Sequence, residues 1–252
     1  MSEAVRRIGM IVPSSNTTME TEVPELLRLL APSGERFTFH GARVRMLHVR
    51  QEDLVRMNAD ATRAMTELMD APLDAVAFAC LVAIMAMGDG HHRTAEAELA
   101  AIATQGGRAT PVITSAGALV EELRLADARR IALVMPYADA LACRVADYLQ
   151  AEGFIVQDYV NLRVTDNAEV GRIPGERVLA ALDGLNTSGV DRVVLSACVQ
   201  MPSLGVLAEA RRRLGVPVTS AAECTAMQIL RRLAPRAAAP GHTAGLSLAE
   251  HG

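Results

Sequence analysis

The chain has 252 residues, half of them apolar, and a formal net charge of −4. That length supports one large core or two small ones, the charge balance marks no nucleic-acid surface, and no apolar stretch reaches the roughly 18 residues of a membrane span. All 25 basic residues are arginine, which excludes a P-loop lysine, Schiff-base chemistry and lysine-anchored pyridoxal phosphate.

The charged start, residues 1–7, runs directly into a strand, so no signal peptide is expected and the cytoplasm is the default location. Arg7 to Val12 reads as a buried strand. A polar turn and a helix from Thr17 to Leu30 follow, with Ser15 or Asn16 as the cap. Glu20, Glu22 and Glu25 on that helix read as a solvated face. Phe37 to Met46 is the next strand, Leu54 to Met69 a helix, and Asp74 to Cys80 a third strand. The methionines of Ile84 to Met87 read as core filling. His91-His92 reads as a solvated loop before a helix from Arg93 to Thr104. Pro111 to Ser115 is a fourth strand. Strands alternating with helices imply parallel βα units.

The plan then repeats. Arg7 to Pro13 matches Arg130 to Pro136, Val76 to Cys80 matches Val194 to Cys198, and Pro111 to Ala116 resembles Pro217 to Ala221. A repeat of half the chain is too long for a solenoid unit. It predicts two similar Rossmann-like or flavodoxin-like α/β lobes with parallel sheets, related by a pseudo-twofold axis. The expected division is 1–115 plus 217–234 for the first lobe and 116–216 for the second. Residues 235–252, rich in Ala, Gly and Pro, read as a loose tail.

Ligands of open parallel sheets sit beyond the carboxyl ends of the strands. Pro13 to Asn16, Pro136-Tyr137, Cys80 and Cys198 all fall there. If the lobes face each other, the two thiols confront each other across a cleft. Each is expected near the amino end of a following helix, where the dipole lowers a thiol pKa. A single cysteine ending an apolar strand is usually a small buried hydrophobe. Two at matching places of a repeat point to chemistry instead. Cys143 and Cys224 fall within helices and read as packing residues. The Gly88-Asp89-Gly90 turn lacks the third glycine of a dinucleotide site, and no His/Cys/Asp spacing makes a metal site.

At these residues the chain resembles the maleate isomerases of the aspartate/glutamate racemase superfamily. The resemblance is carried by Arg7-Ile8-Gly9-Met10-Ile11-Val12-Pro13-Ser14-Ser15-Asn16-Thr17-Thr18-Met19-Glu20, by Cys80-Leu81-Val82-Ala83-Ile84-Met85-Ala86 and by Val194 to Gln200. It spans residues 6 to 232. It implies an isomerase that needs no cofactor or metal, with Cys80 as nucleophile and Cys198 as proton donor and acceptor. Asn16, Tyr137 and Asn167 would bind the substrate carboxylates, and backbone groups of Leu81, Val82, Val199 and Gln200 would line the site. A homodimer and a small dicarboxylate partner, maleate, are implied with it. Two other readings stay open. A two-thiol amino-acid racemase uses the same parts, although no acidic residue except Asp89 lies near the cysteines to hold an ammonium group. A non-catalytic dicarboxylate-binding protein also fits two α/β lobes, but has no need of facing thiols.

Overall fold

A computed structural model describes residues 5–234. The first sheet is built from β1 (Val5–Pro13), β2 (Arg36–Val44), β3 (Ala75–Phe78) and β4 (Val112–Thr114). Its strands are parallel and ordered β2-β1-β3-β4. The second contains β5 (Arg130–Met135), β6 (Ile155–Asn161), β7 (Arg192–Ser196) and β8 (Val218–Ser220), parallel and ordered β6-β5-β7-β8. The same order in both sheets bears out the two-lobe α/β expectation.

Central strands explain the apolar runs. Ile8 to Val12 of β1 lies between two neighbouring strands, and every residue is buried. A parallel strand buried on both faces reads as a continuous apolar run. Gly9 serves packing: a Cβ there would come within 2.7 Å of Leu73 Cδ1. The edge strand β2 alternates instead, with Phe37 and Phe39 half-buried and Arg36 and Thr38 exposed.

In the first lobe the helices are α1 (Met19–Leu30), α2 (Gln51–Leu68), α3 (Leu81–Met85) and α4 (His91–Gln105). After β4 comes α5 (Ser115–Leu125), capped by the Thr114 hydroxyl, which accepts from Gly117 N. The second lobe adds α6 (Asp139–Ala151), α7 (Asn167–Val170), α8 (Gly175–Ala180) and α9 (Leu204–Leu214). Finally α10 (Ala221–Leu233) follows β8 and packs on α1 and α5. No helix among the described residues is long and apolar enough to cross a membrane.

Four expectations need correction. The return to the first lobe was expected at Pro217, yet Val218 pairs with Val193 in the second sheet. The crossing falls one element later, at α10. His91-His92 opens α4 rather than lying in a loop, and His92 is buried. Glu22 is buried, while Glu20 and Glu25 keep to the surface, with Arg43 and Arg28 as partners. Met87 is 40% exposed, although Ile84 and Met85 fill the core as expected. The expected tail, 235–252, lies outside the described residues.

Candidate active site

The carboxyl ends of both sheets open into one cavity. Pro13, Asn16, Met46, Val49, Cys80, Leu81, Val82, Tyr137, Asn167, Cys198, Val199 and Gln200 line it. Every residue expected at the site is therefore brought together. No charged side chain is among them. The volume is about 10 Å3, room for roughly one water. Met46 and Val49 close one side, from the segment between β2 and α2. There His48 makes an isolated antiparallel bridge with Asp166, just before α7. One loop from each lobe thus meets above the cysteines.

Cys80 follows β3 and is the N-cap of α3, with φ 87° and ψ 85°. A β-carbon in this left-handed region is sterically disfavoured, and such strain collects at functional sites. Cys198 follows β7, but the chain after it is a turn closed by Met201 N on Cys198 O, and α9 starts only at Leu204. The expected helix end is thus present at Cys80 and absent at Cys198.

Both thiols are held above the ordinary thiol range. Burial pushes Cys80 up to about 12, with Cys198 adding to the rise; N–H groups of Ala83 and Val82 pull the other way. Burial also pushes Cys198 up, against the Tyr137 hydroxyl and the N–H groups of Gln200 and Met201. Helix dipoles and amides were expected to lower both thiols. Desolvation outweighs them, because a thiolate loses its water here. Tyr137 is held protonated by the same burial, and its hydroxyl donates to Ala197 O at 3.0 Å.

The amide side chains are wired in place. The N-cap of α1 is Thr18 rather than the expected Ser15 or Asn16, but Asn16 Oδ1 accepts from Met19 N, the first N–H of the helix, at 3.0 Å. That leaves its Nδ2 as the group to meet a ligand oxygen. Asn167 Nδ2 donates to Ser15 Oγ at 2.7 Å across the two lobes. Gln200 was expected to contribute backbone only, yet its side chain uses all its bonding capacity. Its Oε1 accepts from Thr17 N and Thr18 N, and its Nε2 donates to Ser15 O and Asn167 O. Sequence reasoning missed this inter-lobe clamp. The signal lay in Gly171, where a Cβ would meet Gln200 Nε2 at 2.6 Å.

Of the other cysteines, Cys224 is buried as expected, with Thr219 Oγ1 3.3 Å from its sulfur. Cys143 is not a packing residue. It is exposed, 3.3 Å from the Tyr159 hydroxyl. No group of three or more His, Cys, Asp or Glu able to hold a metal occurs among the described residues.

Fold and site define a bilobal, two-cysteine α/β protein. The arylmalonate decarboxylase family model matches residues 8–245. The maleate isomerase of Geobacillus stearothermophilus is 49% identical over 229 residues, covering 90% of this chain and 91% of the relative. Two solved structures agree. One is a cysteine-to-serine mutant of the Nocardia farcinica maleate cis-trans isomerase with a covalently bound succinylcysteine intermediate. It has TM-score 0.89 and 49% identity, covering 91% of this chain and 93% of that one. The other is a cysteine-to-alanine mutant of the Pseudomonas putida S16 maleate isomerase with maleate, at TM-score 0.89 and 44% identity, covering 91% and 92%. This chain belongs to the maleate isomerase family, and is an isomerase.

Proposed function

We propose that the protein converts maleate to fumarate through a covalent adduct on Cys80, with Cys198 as proton donor and acceptor. The observation that carries this reading is a cavity lined by two thiols and no charged side chain. An amino-acid racemase would need a carboxylate or equivalent for the substrate ammonium group, and none lines the cavity. A dicarboxylate needs N–H and O–H donors, which Asn16, Asn167 and the backbone of Leu81, Val82, Val199 and Gln200 supply, with the Tyr137 hydroxyl adding one on turning from Ala197 O.

The chemistry follows from the bond that must turn. Rotation about C=C is blocked, so the π bond has to be removed and restored. Cys80 gives its proton to solvent as substrate enters, its sulfur adds to one alkene carbon, and it takes a proton back from solvent after release. The electron pair of the π bond moves to the neighbouring carbon and into its carboxylate. Donors aimed at that carboxylate stabilise the charge. Cys198 protonates the carbanion, giving a succinyl thioether with a free C–C single bond. Rotation brings the other hydrogen of that carbon to Cys198, which removes it; the C=C bond re-forms trans as the C–S bond breaks, and Cys80 leaves as thiolate. Addition and elimination cancel, so no electron donor or acceptor is consumed.

Raised thiols fit this cycle. Each thiol keeps its proton until a substrate occupies the cavity, and Cys198 then has a proton to deliver. Both thiols must be reduced, a state the cytoplasm maintains. A homodimer is part of the same proposal, tested by light scattering.

The deciding experiment follows maleate by proton NMR with no cofactor added. Fumarate should appear with the native protein and vanish with Cys80→Ala and Cys198→Ala. In Cys198→Ser, mass spectrometry should find Cys80 carrying the mass of one maleic acid. No fumarate from folded, reduced protein overturns the reading. Exchange of solvent deuterium into aspartate or glutamate would favour the racemase.

A further inference from the structure

A second cavity, about 540 Å3, lies at the opposite end of the second sheet. It opens beside Arg192 and Val218, the first residues of β7 and β8, far along the strands from Cys198. Its volume falls within the ~300–1,000 Å3 of small-molecule sites.

The charges at its wall are unevenly matched. Arg211 Nη2 meets both oxygens of Glu223, at 2.7 and 2.9 Å. Arg231 Nε meets Glu122 Oε1 at 2.7 Å. Both carboxylates are therefore taken. Arg192 is left over: its Nε is buried and finds no acceptor among the described residues. A buried polar group without a partner is costly, more so on a cation. Three arginines against two glutamates leave one positive charge. Apart from Thr219, whose hydroxyl donates to Glu223 Oε2, the rest of the wall is apolar and includes Leu125, Met227, Val216 and Pro217.

We propose that this cavity binds a small organic monocarboxylate, with Arg192 as its charge partner and the apolar wall around its body. One surplus charge matches one carboxylate, and a planar guanidinium matches its two oxygens. A bare dianion would leave the apolar wall unused and face Glu122 and Glu223. The site stands apart from the two cysteines and does not depend on the proposed reaction.

The test uses the full chain carrying Cys80→Ala, so that no added acid is consumed. Benzoate and hexanoate are titrated by calorimetry, with benzamide, hexanamide and inorganic phosphate as controls. Saturable binding of an acid is expected, at least about tenfold tighter than its amide. Saturating maleate should not displace it. Arg192→Gln should weaken it about tenfold or more while leaving fumarate formation by the otherwise native enzyme unchanged. If Arg192→Gln fails to fold, Met227→Glu serves instead, placing a competing carboxylate in the same cavity wall. The proposal is overturned by no saturable binding below about 10 mM or by equal binding of acid and amide. Phosphate binding in preference, displacement by maleate, or affinity unchanged in the variants would overturn it as well.

Discussion

At the scale of single residues, Cys80 combines strain with desolvation. Its φ of 87° suits glycine better than any residue with a β-carbon. Cys80→Gly should therefore be more stable than Cys80→Ala by about 1 kcal/mol. Equal unfolding midpoints in denaturant would show that the turn carries no strain. The raised thiol makes a second prediction. Burial, with Cys198 adding to it, pushes the Cys80 thiol up to about 12, so the thiol form dominates at neutral pH. Alkylation of Cys80 by iodoacetamide, read by mass spectrometry, should be slow at neutral pH and still rising above the pH where free thiols level off. A plateau near neutrality would contradict it. The sign for stability follows from the same shift. The folded protein holds this proton more tightly than the unfolded chain, so the contribution is full below about pH 9 and is lost toward pH 12.

At the scale of elements, α9 is started by a residue from the other lobe. Ser203, its N-cap, gives no side-chain cap. Instead the Glu22 carboxylate on α1 accepts from Ser203 N at 2.8 Å, Ser203 Oγ at 3.0 Å and Leu204 N at 2.9 Å. Removing such a buried acceptor leaves helix-end donors unmet. Glu22→Ala should cost about 1–3 kcal/mol in chemical denaturation, and Glu22→Gln, which keeps one oxygen, less. A cost near zero for Glu22→Ala would mean that water replaces the carboxylate. Glu22 also shows where the sequence is silent. Its helix position matches a solvated face, because its partners lie 181 residues away. Strands, their order of appearance and both cysteines were legible, since each follows from local apolar runs and the repeat. Gln200, His92 and the left-handed turn at Cys80 were not. Each takes its role from contacts between lobes or from backbone geometry, which periodicity does not encode. The boundary at Pro217 failed for a related reason: β8 and β4 resemble each other, yet only the helix after β8 crosses over.

At the scale of the whole molecule, the lobes are fastened on two sides of the cleft. Near the site, Gln200, Asn167 and Glu22 reach between them. On another side, α4 meets α6. The buried His92 lies beside Tyr148 Oη, with Nδ1 at 2.5 Å and its backbone N at 3.2 Å. Glu152 there takes Arg93, from the first lobe, and Arg124. This second fastening has a pH limit. Arg93 Nη1 is 3.2 Å from His92 Nε2 and can only donate, so Nε2 accepts and the ring proton sits on Nδ1. A second proton would have to go on Nε2, facing the guanidinium. Burial is the larger penalty on that proton, Arg93, Arg124 and His91 add to it, and Glu152 opposes them; together they lower the His92 pKa. The folded protein thus binds this proton less tightly than the unfolded chain. Its stabilising contribution is present above about pH 6.5 and is lost as pH falls through the lower folded value. The melting temperature of the native protein should therefore drop as pH falls from about 7.5 to 5.5. His92→Gln should start lower, for want of the native bonds to Tyr148, and change less across that range. Parallel melting curves would assign the acid sensitivity to other groups and leave His92 a packing residue.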